Sequence, residues 1–172
     1  MENFDVVVIG AGSGLNIADG AASHGLSVAI VEKGPMGGTC LNRGCISSKM
    51  LLHSADVAET ILNARKFGIS AKMGAVDFSG LVSRVSRFVD RDAREIEKGI
   101  RSASNMALFK ADGKFVKERA LRIGSKVISG EKIFVFAGTR PLVPPIPGLE
   151  GSGYLTSTEA LRLKKLPKSL TI

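Results

Sequence analysis

The amino-terminal residues follow the pattern of a strand, a glycine turn, a helix and a second strand. Residues 6–9 are a continuous apolar run, which is typical of a parallel strand buried on both faces. The glycine-rich stretch 10–14 follows, and an alanine-rich helical segment then ends near His24, with Gly25 suited to cap it. Residues 27–31 supply the second buried strand. Because two parallel strands need a crossover between them, this pattern predicts a layered α/β fold.

The glycine turn has the features of a dinucleotide phosphate-binding turn, with one change. Gly10 allows the tight turn, and Gly12 lets the backbone approach a pyrophosphate that lies on the helix N-terminus. Leu15 takes the place of the third glycine, and Gly14 lies one position early. Since the third glycine serves helix–strand packing, we expect the change to affect helix docking more than phosphate contact. Glu32 ends the second strand, where a carboxylate can bind ribose hydroxyls and repel a 2′-phosphate. The alternative is an ordinary glycine-rich strand-to-helix turn.

The remaining hydrophobic pattern predicts further helices and strands. Gly68 marks the end of one helix, Asp77 is expected to cap the next, and Gly124-Ser125 is a hairpin-type turn. The Pro- and Gly-rich stretch 141–153 is not expected to form regular structure. The predicted helices cover residues 45–67, 77–104 and 157–163, and the predicted strands cover residues 106–110, 114–116, 120–123, 126–129, 131–138 and 167–172.

The net charge of +8 has two interpretations, a nucleic-acid interface or a solvated helix face. Basic residues share one face of the predicted helix 77–104, but acidic residues are interspersed and aromatic side chains that could stack on bases are few. A solvated face is therefore expected, with no nucleic-acid partner. No apolar run approaches the roughly 20 residues of a membrane span, and no secretory leader precedes the first strand. We expect a soluble, cytoplasmic protein without a membrane partner.

The chain has only two cysteines, Cys40 and Cys45, in a glycine-rich segment. A zinc site would need two more ligands, and the two histidines lie at no ligand-like spacing. Two buried inert thiols or a redox pair remain possible, whereas a structural disulfide is unusual in a reducing compartment. Five residues of regular helix advance about 7.5 Å, beyond the roughly 7 Å limit on Cα separation in a disulfide. A disulfide here requires a break in the helix, which Gly37-Gly38 and Gly44 could supply.

If a helix begins near Cys45, its sulfur lies at the positive end of the helix dipole with Lys49 one turn later. Both features favour negative charge on the sulfur. Cys40, nearer the open end, would be better placed to attack a substrate. The spacing of the pair and its setting therefore favour reversible redox chemistry.

The segment 37-GGTCLNRGCISSK-49 resembles the redox-active disulfide motif of the class I flavin disulfide reductases, G-G-x-C-x-N-x-G-C-x-P-[ST]-K. This family includes dihydrolipoamide dehydrogenase, glutathione reductase, mercuric reductase and mycothiol-disulfide reductase. Residues 6–14 with Glu32 agree, the stretch 135-VFAGTRPLVPPIPG-148 resembles the family's A-T-G-[ST]-R-P strand end, and residues 154–172 resemble the link to its NAD-binding domain. The -LNRGCI-SK- wording is most similar to dihydrolipoamide dehydrogenases, while the G-S-G-L-N turn is also similar to mycothiol-disulfide reductases.

The resemblance implies a Rossmann-like FAD-binding domain with a central parallel sheet, flanking helices and a small antiparallel β-meander. It implies that electrons pass between NAD(H), FAD and a Cys40-Cys45 disulfide that exchanges with a dithiol or disulfide substrate, most simply dihydrolipoamide or a lipoyl domain. Cys40 matches the interchange thiol, Cys45 the thiol beside the flavin, and Lys49 the lysine near flavin N5. No metal site is implied. The implied cofactor contacts are Gly10, Gly12, Ser13, Gly14, Glu32, Lys33, Gly38, Thr39, Cys40, Cys45, Lys49, Gly113, Ala137, Gly138 and Thr139.

The chain departs from the family pattern in sequence and in length. Ser47 replaces a proline, Leu15 replaces a glycine, and 137-AGT-139 shifts the usual Ala-Thr-Gly by one. We expect an FAD-binding domain over residues 1–148, and over residues 149–172 a linker and the start of an NAD-binding domain that the chain lacks. The fragment alone is then expected to be inactive or very weak, with homodimer formation confined to the full-length protein. The alternatives are a stand-alone nucleotide- or lipoyl-binding module without catalysis, and a fragment of a mycothiol-disulfide or mercuric reductase.

Overall fold

The structure is a computed structural model that describes every residue from Met1 to Ile172. The chain forms two compact units, each made of two chain segments. The sheet unit comprises Met1–Asn42 and Asp90–Arg140, and the helical unit comprises Arg43–Val89 and Pro141–Ile172.

The sheet unit is built on one six-stranded sheet with strand order β3-β2-β1-β6-β5-β4. The strands β1, β2, β3 and β6 run parallel to one another, and β4, β5 and the start of β6 form an antiparallel meander. The predicted fold class, a central parallel sheet with a small meander, is therefore confirmed. The strands are β1 (Glu2–Ile9), β2 (Val28–Val31), β3 (Met106–Phe109), β4 (Lys114–Lys117), β5 (Ala120–Ile123) and β6 (Lys126–Val135).

Four of the five helices follow the predicted order along the chain, and a short helix over Gly38–Arg43 was not predicted. Gly80 N–H donates to Asp77 Oδ1 at 2.8 Å, so Asp77 caps the long helix as predicted. Gly68 adopts a left-handed conformation (φ +74°) and ends a 3₁₀ turn over Ala64–Phe67, which completes the predicted helix 45–67. No helix is long and apolar enough to cross a membrane. The helices are α1 (Gly14–Ser23), α2 (Gly38–Arg43), α3 (Cys45–Leu62), α4 (Phe78–Ser102) and α5 (Ser157–Ala160).

The strand–helix–strand unit predicted at the amino terminus is present. Val6 and Val8 of β1 and Ile30 of β2 lie on one face of the sheet, where α1 and Ile100 of α4 pack against them. The alternate residues of the same strands face the opposite side, where Leu121 and other meander residues cover them. Both faces of the central strands are thus buried, which explains why their sequences are apolar without alternation.

The structure corrects two predicted strands. Residues 126–129 and 131–138 were expected to be separate strands, but β6 is one continuous strand through Gly130. Its first half pairs with β5 and most of its length pairs with β1, and a Cβ on Gly130 would lie 2.6 Å from Val7 Cγ2. Gly130 therefore allows close side-chain contact instead of ending the strand. Residues 167–172 form no strand, because they have no partner strand.

Candidate functional site

The carboxyl ends of four parallel strands meet at one edge of the sheet. Ile9 of β1 lies in register with Val31 of β2 and Val135 of β6, and Val31 lies in register with Phe109 of β3. The loops that follow these strands therefore emerge side by side, which is where open α/β sheets bind ligands. These loops and the starts of α1 and α2 contain the predicted cofactor residues of the sheet unit: Gly10, Gly12, Ser13, Gly14, Glu32, Lys33, Gly38, Thr39, Cys40, Gly113, Ala137, Gly138 and Thr139.

The first glycine of the turn is wedged between neighbouring strands. Gly10 has a φ of +103°, and its N–H donates to Val31 O at 2.9 Å. A Cβ on Gly10 would lie 2.1 Å from Phe136 O. Phe136 cannot move away freely, because its own N–H donates to Ile9 O at 2.7 Å. Only glycine satisfies both the backbone conformation and the space at this position.

Gly14 allows the close helix–strand packing that the third glycine of the usual motif provides. It is the first residue of α1 and is buried, and a Cβ there would lie 2.7 Å from Val8 Cγ1 and 3.0 Å from Phe136 Cδ2. Leu15, at the position of the usual glycine, packs against the core at the edge of the same cluster. The expected effect of Leu15 on the docking of α1 stays a prediction, because Gly14, one position earlier, allows the close approach of helix and strand.

A second glycine turn lies directly on the first. Gly37 N–H donates to Ala11 O at 2.8 Å, and Gly37 and Gly38 both have left-handed φ angles, +90° and +59°. A Cβ on Gly38 would lie 2.6 Å from Gly12 Cα, whereas a Cβ on Gly12 would lie 3.4 Å from Gly38 Cα. The start of the cysteine motif is thus fixed, backbone against backbone, to the predicted phosphate turn.

Asn42 is a site residue to which the sequence analysis assigned no role. Its side chain is buried, and its Nδ2 donates to Met36 O at 2.8 Å and to Gly38 O at 2.9 Å. These bonds hold the second glycine turn from the inside. The signal was present, because Asn42 is the asparagine of the G-G-x-C-x-N motif, but a motif does not say which backbone atoms an amide contacts.

Glu32 connects the glycine turn with the loop after β2. Its Oε2 accepts a hydrogen bond from Ala11 N–H at 2.9 Å, and its Oε1 accepts one from Gly34 N–H at 2.6 Å. Lys33 beside it pairs with Asp112 at 2.9 Å, with both side chains mostly exposed, so this pair contributes little to stability. The carboxylate that was predicted to bind ribose therefore lies next to the phosphate turn.

The other two loops differ in how tightly they are held. Gly113 lies close to β2, and a Cβ there would be 3.2 Å from Val31 Cγ1. The stretch 137–139 is exposed, and Gly138 has a left-handed φ of +69° with no neighbour near its Cβ position. Ser13 and Thr39 are also exposed, at the starts of α1 and α2. These backbone groups at the edge are accessible to a ligand.

The predicted break in the helix between the two cysteines is confirmed. Cys40 lies in α2, which ends at Arg43, and Cys45 is the first residue of α3 after Gly44 in a non-helical conformation (φ −149°, ψ −119°). Both cysteine side chains are exposed. Lys49 is exposed one turn further along α3. Cys40 belongs to the sheet unit, and Cys45 and Lys49 belong to the helical unit.

The family model for pyridine nucleotide-disulphide oxidoreductases matches residues 4–172. The chain belongs to this family. The family implies FAD and a pyridine nucleotide as cofactors, in agreement with the resemblance of the cysteine motif.

Relatives of this chain are named for different substrates. The chain is 32% identical to a mercuric reductase of Lysinibacillus sphaericus, 36% to a mycothione reductase of Mycobacterium tuberculosis and 34% to a dihydrolipoyl dehydrogenase of Bacillus subtilis. These alignments cover 99%, 100% and 97% of this chain but only 32%, 39% and 38% of the relatives. The chain therefore spans well under half the length of these proteins.

The solved structures give the same assignment. The HOCl-induced flavoprotein disulfide reductase RclA from Escherichia coli superposes with a TM-score of 0.80 at 31% identity. The match covers 95% of this chain and 35% of that one. The similarity extends over nearly all of this chain, so both its fold and its family agree with a flavoprotein disulfide reductase.

The residues at the sheet edge fit the adenosine diphosphate half of FAD. Gly12 and Gly38 lie against each other, and neither adds a side chain to the phosphate turn. The first turn of α1 carries no acidic residue, and Ser13 makes no capping bond with its side chain, so the helix N-terminus can accept an anion. Glu32 presents two carboxylate oxygens beside the turn. The site therefore places a helix N-terminus without acidic residues next to a carboxylate.

Proposed function

We propose that this chain is the FAD-binding part of a flavin disulfide reductase that passes electrons between NAD(H), FAD and a Cys40-Cys45 disulfide. The observation that carries the proposal is the contact between the two glycine turns, which joins the phosphate turn to the start of the cysteine motif. One loop would bind the cofactor's pyrophosphate, and the adjoining segment would bring Cys40 to the same edge of the sheet. The proposed FAD-binding domain covers residues 1–148, followed by a linker over residues 149–172.

The residues of the sheet edge have separate parts in holding FAD. Backbone N–H groups at Gly12, Ser13 and Gly14 would bind the pyrophosphate at the start of α1. Glu32 would accept hydrogen bonds from ribose hydroxyls, and its negative charge would disfavour a 2′-phosphate. Lys33, Gly38, Thr39, Gly113 and residues 137–139 would contribute further contacts. Bound FAD would supply a two-electron carrier between the thiol pair and NAD(H).

The thiol pair would exchange with the substrate in two steps. A thiolate of a dithiol substrate attacks Cys40 Sγ, forms a mixed disulfide and releases Cys45 as a thiolate. The second substrate thiol then attacks the substrate sulfur of the mixed disulfide, which releases Cys40 and leaves the substrate as a disulfide. Two electrons and two protons pass from the substrate to the thiol pair, and Lys49 on α3 would stabilise negative charge on Cys45.

The substrate proposed first is dihydrolipoamide or a lipoyl domain, because the wording of the cysteine motif is most similar to dihydrolipoamide dehydrogenases. Mycothiol disulfide and mercuric ion remain alternatives, since the named relatives differ by only a few per cent in identity. NAD(H) binding and the homodimer contact are proposed for a full-length reductase, and the 172 residues alone are proposed to be inactive or very weak. A reversible thiol pair fits a cytoplasmic location, where glutathione and thioredoxin keep thiols reduced.

Equilibrium binding of flavins to the purified chain tests the proposed cofactor. The chain should bind FAD, ADP should compete with it, and FMN should bind about 100-fold more weakly. FMN lacks the adenosine half, and each lost hydrogen bond to a charged group costs about 1.5–3 kcal/mol. Equal affinity for FMN and FAD would contradict the assigned roles of the glycine turn and Glu32. A chain that binds neither flavin would overturn the proposal itself.

A count of reactive thiols separates the disulfide reductase from a binding module without electron transfer. After oxidation, the FAD-loaded chain should show no reactive thiol, and reductant should release both Cys40 and Cys45. Cys40→Ser provides the matched control, because it should leave Cys45 reactive under both conditions while FAD remains bound. Flavin binding together with two thiols that resist oxidation would favour the binding module instead.

A further inference from the structure

We propose that Lys110 is a positioning residue for the cofactor site, which holds Glu32 in place through the backbone of Gly34. The inference rests on the proposed FAD-binding function and extends it to a residue outside every motif discussed above. Lys110 directly follows β3, and β3 is the strand that pairs with β2. Its side chain therefore reaches the loop after β2 from the neighbouring strand.

The contacts of Lys110 link three parts of the sheet unit. Its Nζ donates a hydrogen bond to Gly34 O and lies 3.8 Å from Glu97 Oε2 of α4. Glu97 is itself held by Arg101, whose Nη2 and Nε donate to Glu97 Oε1 at 2.8 and 3.0 Å. Lys110 and Glu97 side chains are each 31% exposed, compared with 62% for Lys126 in the surface pair Lys126–Glu2. The lysine is therefore held on two sides and is partly withdrawn from water.

A short chain of hydrogen bonds leads from Lys110 to the phosphate turn. Lys110 fixes the carbonyl of Gly34, and the N–H of the same residue donates to Glu32 Oε1 at 2.6 Å. The other oxygen of Glu32 accepts from Ala11 N–H at 2.9 Å. Loss of the Lys110 contact would free Gly34 to move, and the carboxylate of Glu32 would lose one of the two bonds that fix it.

Gly34 itself has little packing that could replace this contact. Pro35 and Met36 face Asp90, Ala93, Arg94 and Glu97 of α4 across an open cavity of about 240 Å³. Met36 itself is buried in the core, but a Cβ on Gly34 would meet only Glu32 Oε1, at 3.2 Å, so hydrogen bonds rather than side-chain packing hold Gly34. The hydrogen bond from Arg101 and the charge of Lys110 hold the pKa of Glu97 below its usual range, so this carboxylate stays ionised near neutral pH.

Lys110→Met tests the inference because it keeps the length of the side chain and removes its charge and its donors. The affinity for FAD and for ADP should each fall by about tenfold, the loss expected for one hydrogen bond from a charged donor. Lys110→Arg should restore most of the affinity for both. Lys126→Met is the matched control, because Lys126 also pairs with a glutamate, Glu2, but lies at the opposite end of β6 from the site. The affinity of Lys126→Met for FAD and ADP should equal that of the wild type.

The outcomes separate the positioning role from a general effect on folding and from the proposed function. Unchanged affinity of folded Lys110→Met, or an equal loss in Lys126→Met, would overturn the inference. If Lys110→Met does not fold, Glu97→Gln decides, because it should weaken FAD binding severalfold and an unchanged affinity would again overturn the role. If the wild-type chain binds neither FAD nor ADP, the proposed function fails, and this inference fails with it.

Discussion

Replacing Gly14 by alanine should destabilise the fold, although alanine is the better helix former. The new methyl group would lie 2.7 Å from Val8 Cγ1 and 3.0 Å from the ring of Phe136. Val8 is fully buried in the central strand and its β-branched side chain has few alternative rotamers, so it cannot move aside at little cost. Overpacking of this kind costs about 1–3 kcal/mol, while the helix propensity gained is at most about 1 kcal/mol. The middle of the two ranges, about 2 kcal/mol lost and about 0.5 kcal/mol gained, leaves a net loss of about 1.5 kcal/mol.

Gly20 of the same helix provides the control. A Cβ on Gly20 would meet nothing within 4 Å, so Gly20→Ala gains helix propensity without a clash and should stabilise the chain by about 0.5–1 kcal/mol. Equilibrium urea unfolding followed by circular dichroism measures both variants. With a slope of about 2 kcal/mol/M, the midpoint of Gly14→Ala should fall by about 0.5–1 M and that of Gly20→Ala should rise. A Gly14→Ala variant as stable as the wild type would refute the argument that Gly14 replaces the missing third glycine.

Three further substitutions test the site and its supports. Gly12→Ala should leave the urea midpoint nearly unchanged, because its Cβ meets only an ordinary contact. It should weaken FAD binding at least tenfold, because the new methyl group would lie where the pyrophosphate is proposed to bind. Gly151→Ala, whose Cβ would lie in open space, should change neither quantity. Asn42→Ala should cost about 1–3 kcal/mol in urea unfolding, because two backbone carbonyls lose their donor; no loss would contradict the clamp. Hydrogen bonds from Ser27, chiefly from its side chain and secondly from its backbone N–H, lower the pKa of Asp5 in the folded state. The contribution of Asp5 to stability is therefore fully present above the unfolded pKa of about 3.9 and is lost as pH falls through the lower folded pKa. Asp5→Asn should therefore be less stable than the wild type at pH 7, with a difference that shrinks in acid unfolding curves; a difference independent of pH would contradict this assignment.

Local sequence patterns predicted much of the fold. The apolar run of β1, the Asp77 cap and the end of α1 at Gly25 each depend on neighbouring residues alone. The hairpin turn at Gly124 is of the same kind. Glu32 was correctly expected at the end of β2. Its place beside the glycine turn follows, because the carboxyl ends of the parallel strands β1 and β2 share one edge of the sheet.

The predictions that failed depend on contacts between distant parts of the chain. Residues 126–129 and 131–138 were predicted as separate strands, but β6 continues through Gly130, which lies close to Val7. The direct contact between Gly12 and Gly38, and the bond from Lys110 to Gly34, join residues whose proximity no periodicity reveals. Pairings of this kind are set by tertiary structure, so single-sequence patterns do not contain them.

Anaerobic reductive titration of the FAD-loaded chain tests the central claim most directly. The claim is that one chain carries both a flavin and a redox-active pair formed by Cys40 and Cys45. The titration should consume about four electrons per bound flavin, two for the flavin and two for the disulfide, and Cys40→Ser should lower the uptake to about two. An uptake of about two electrons by the oxidised wild-type chain would contradict the account, because the cysteines would then form no redox couple.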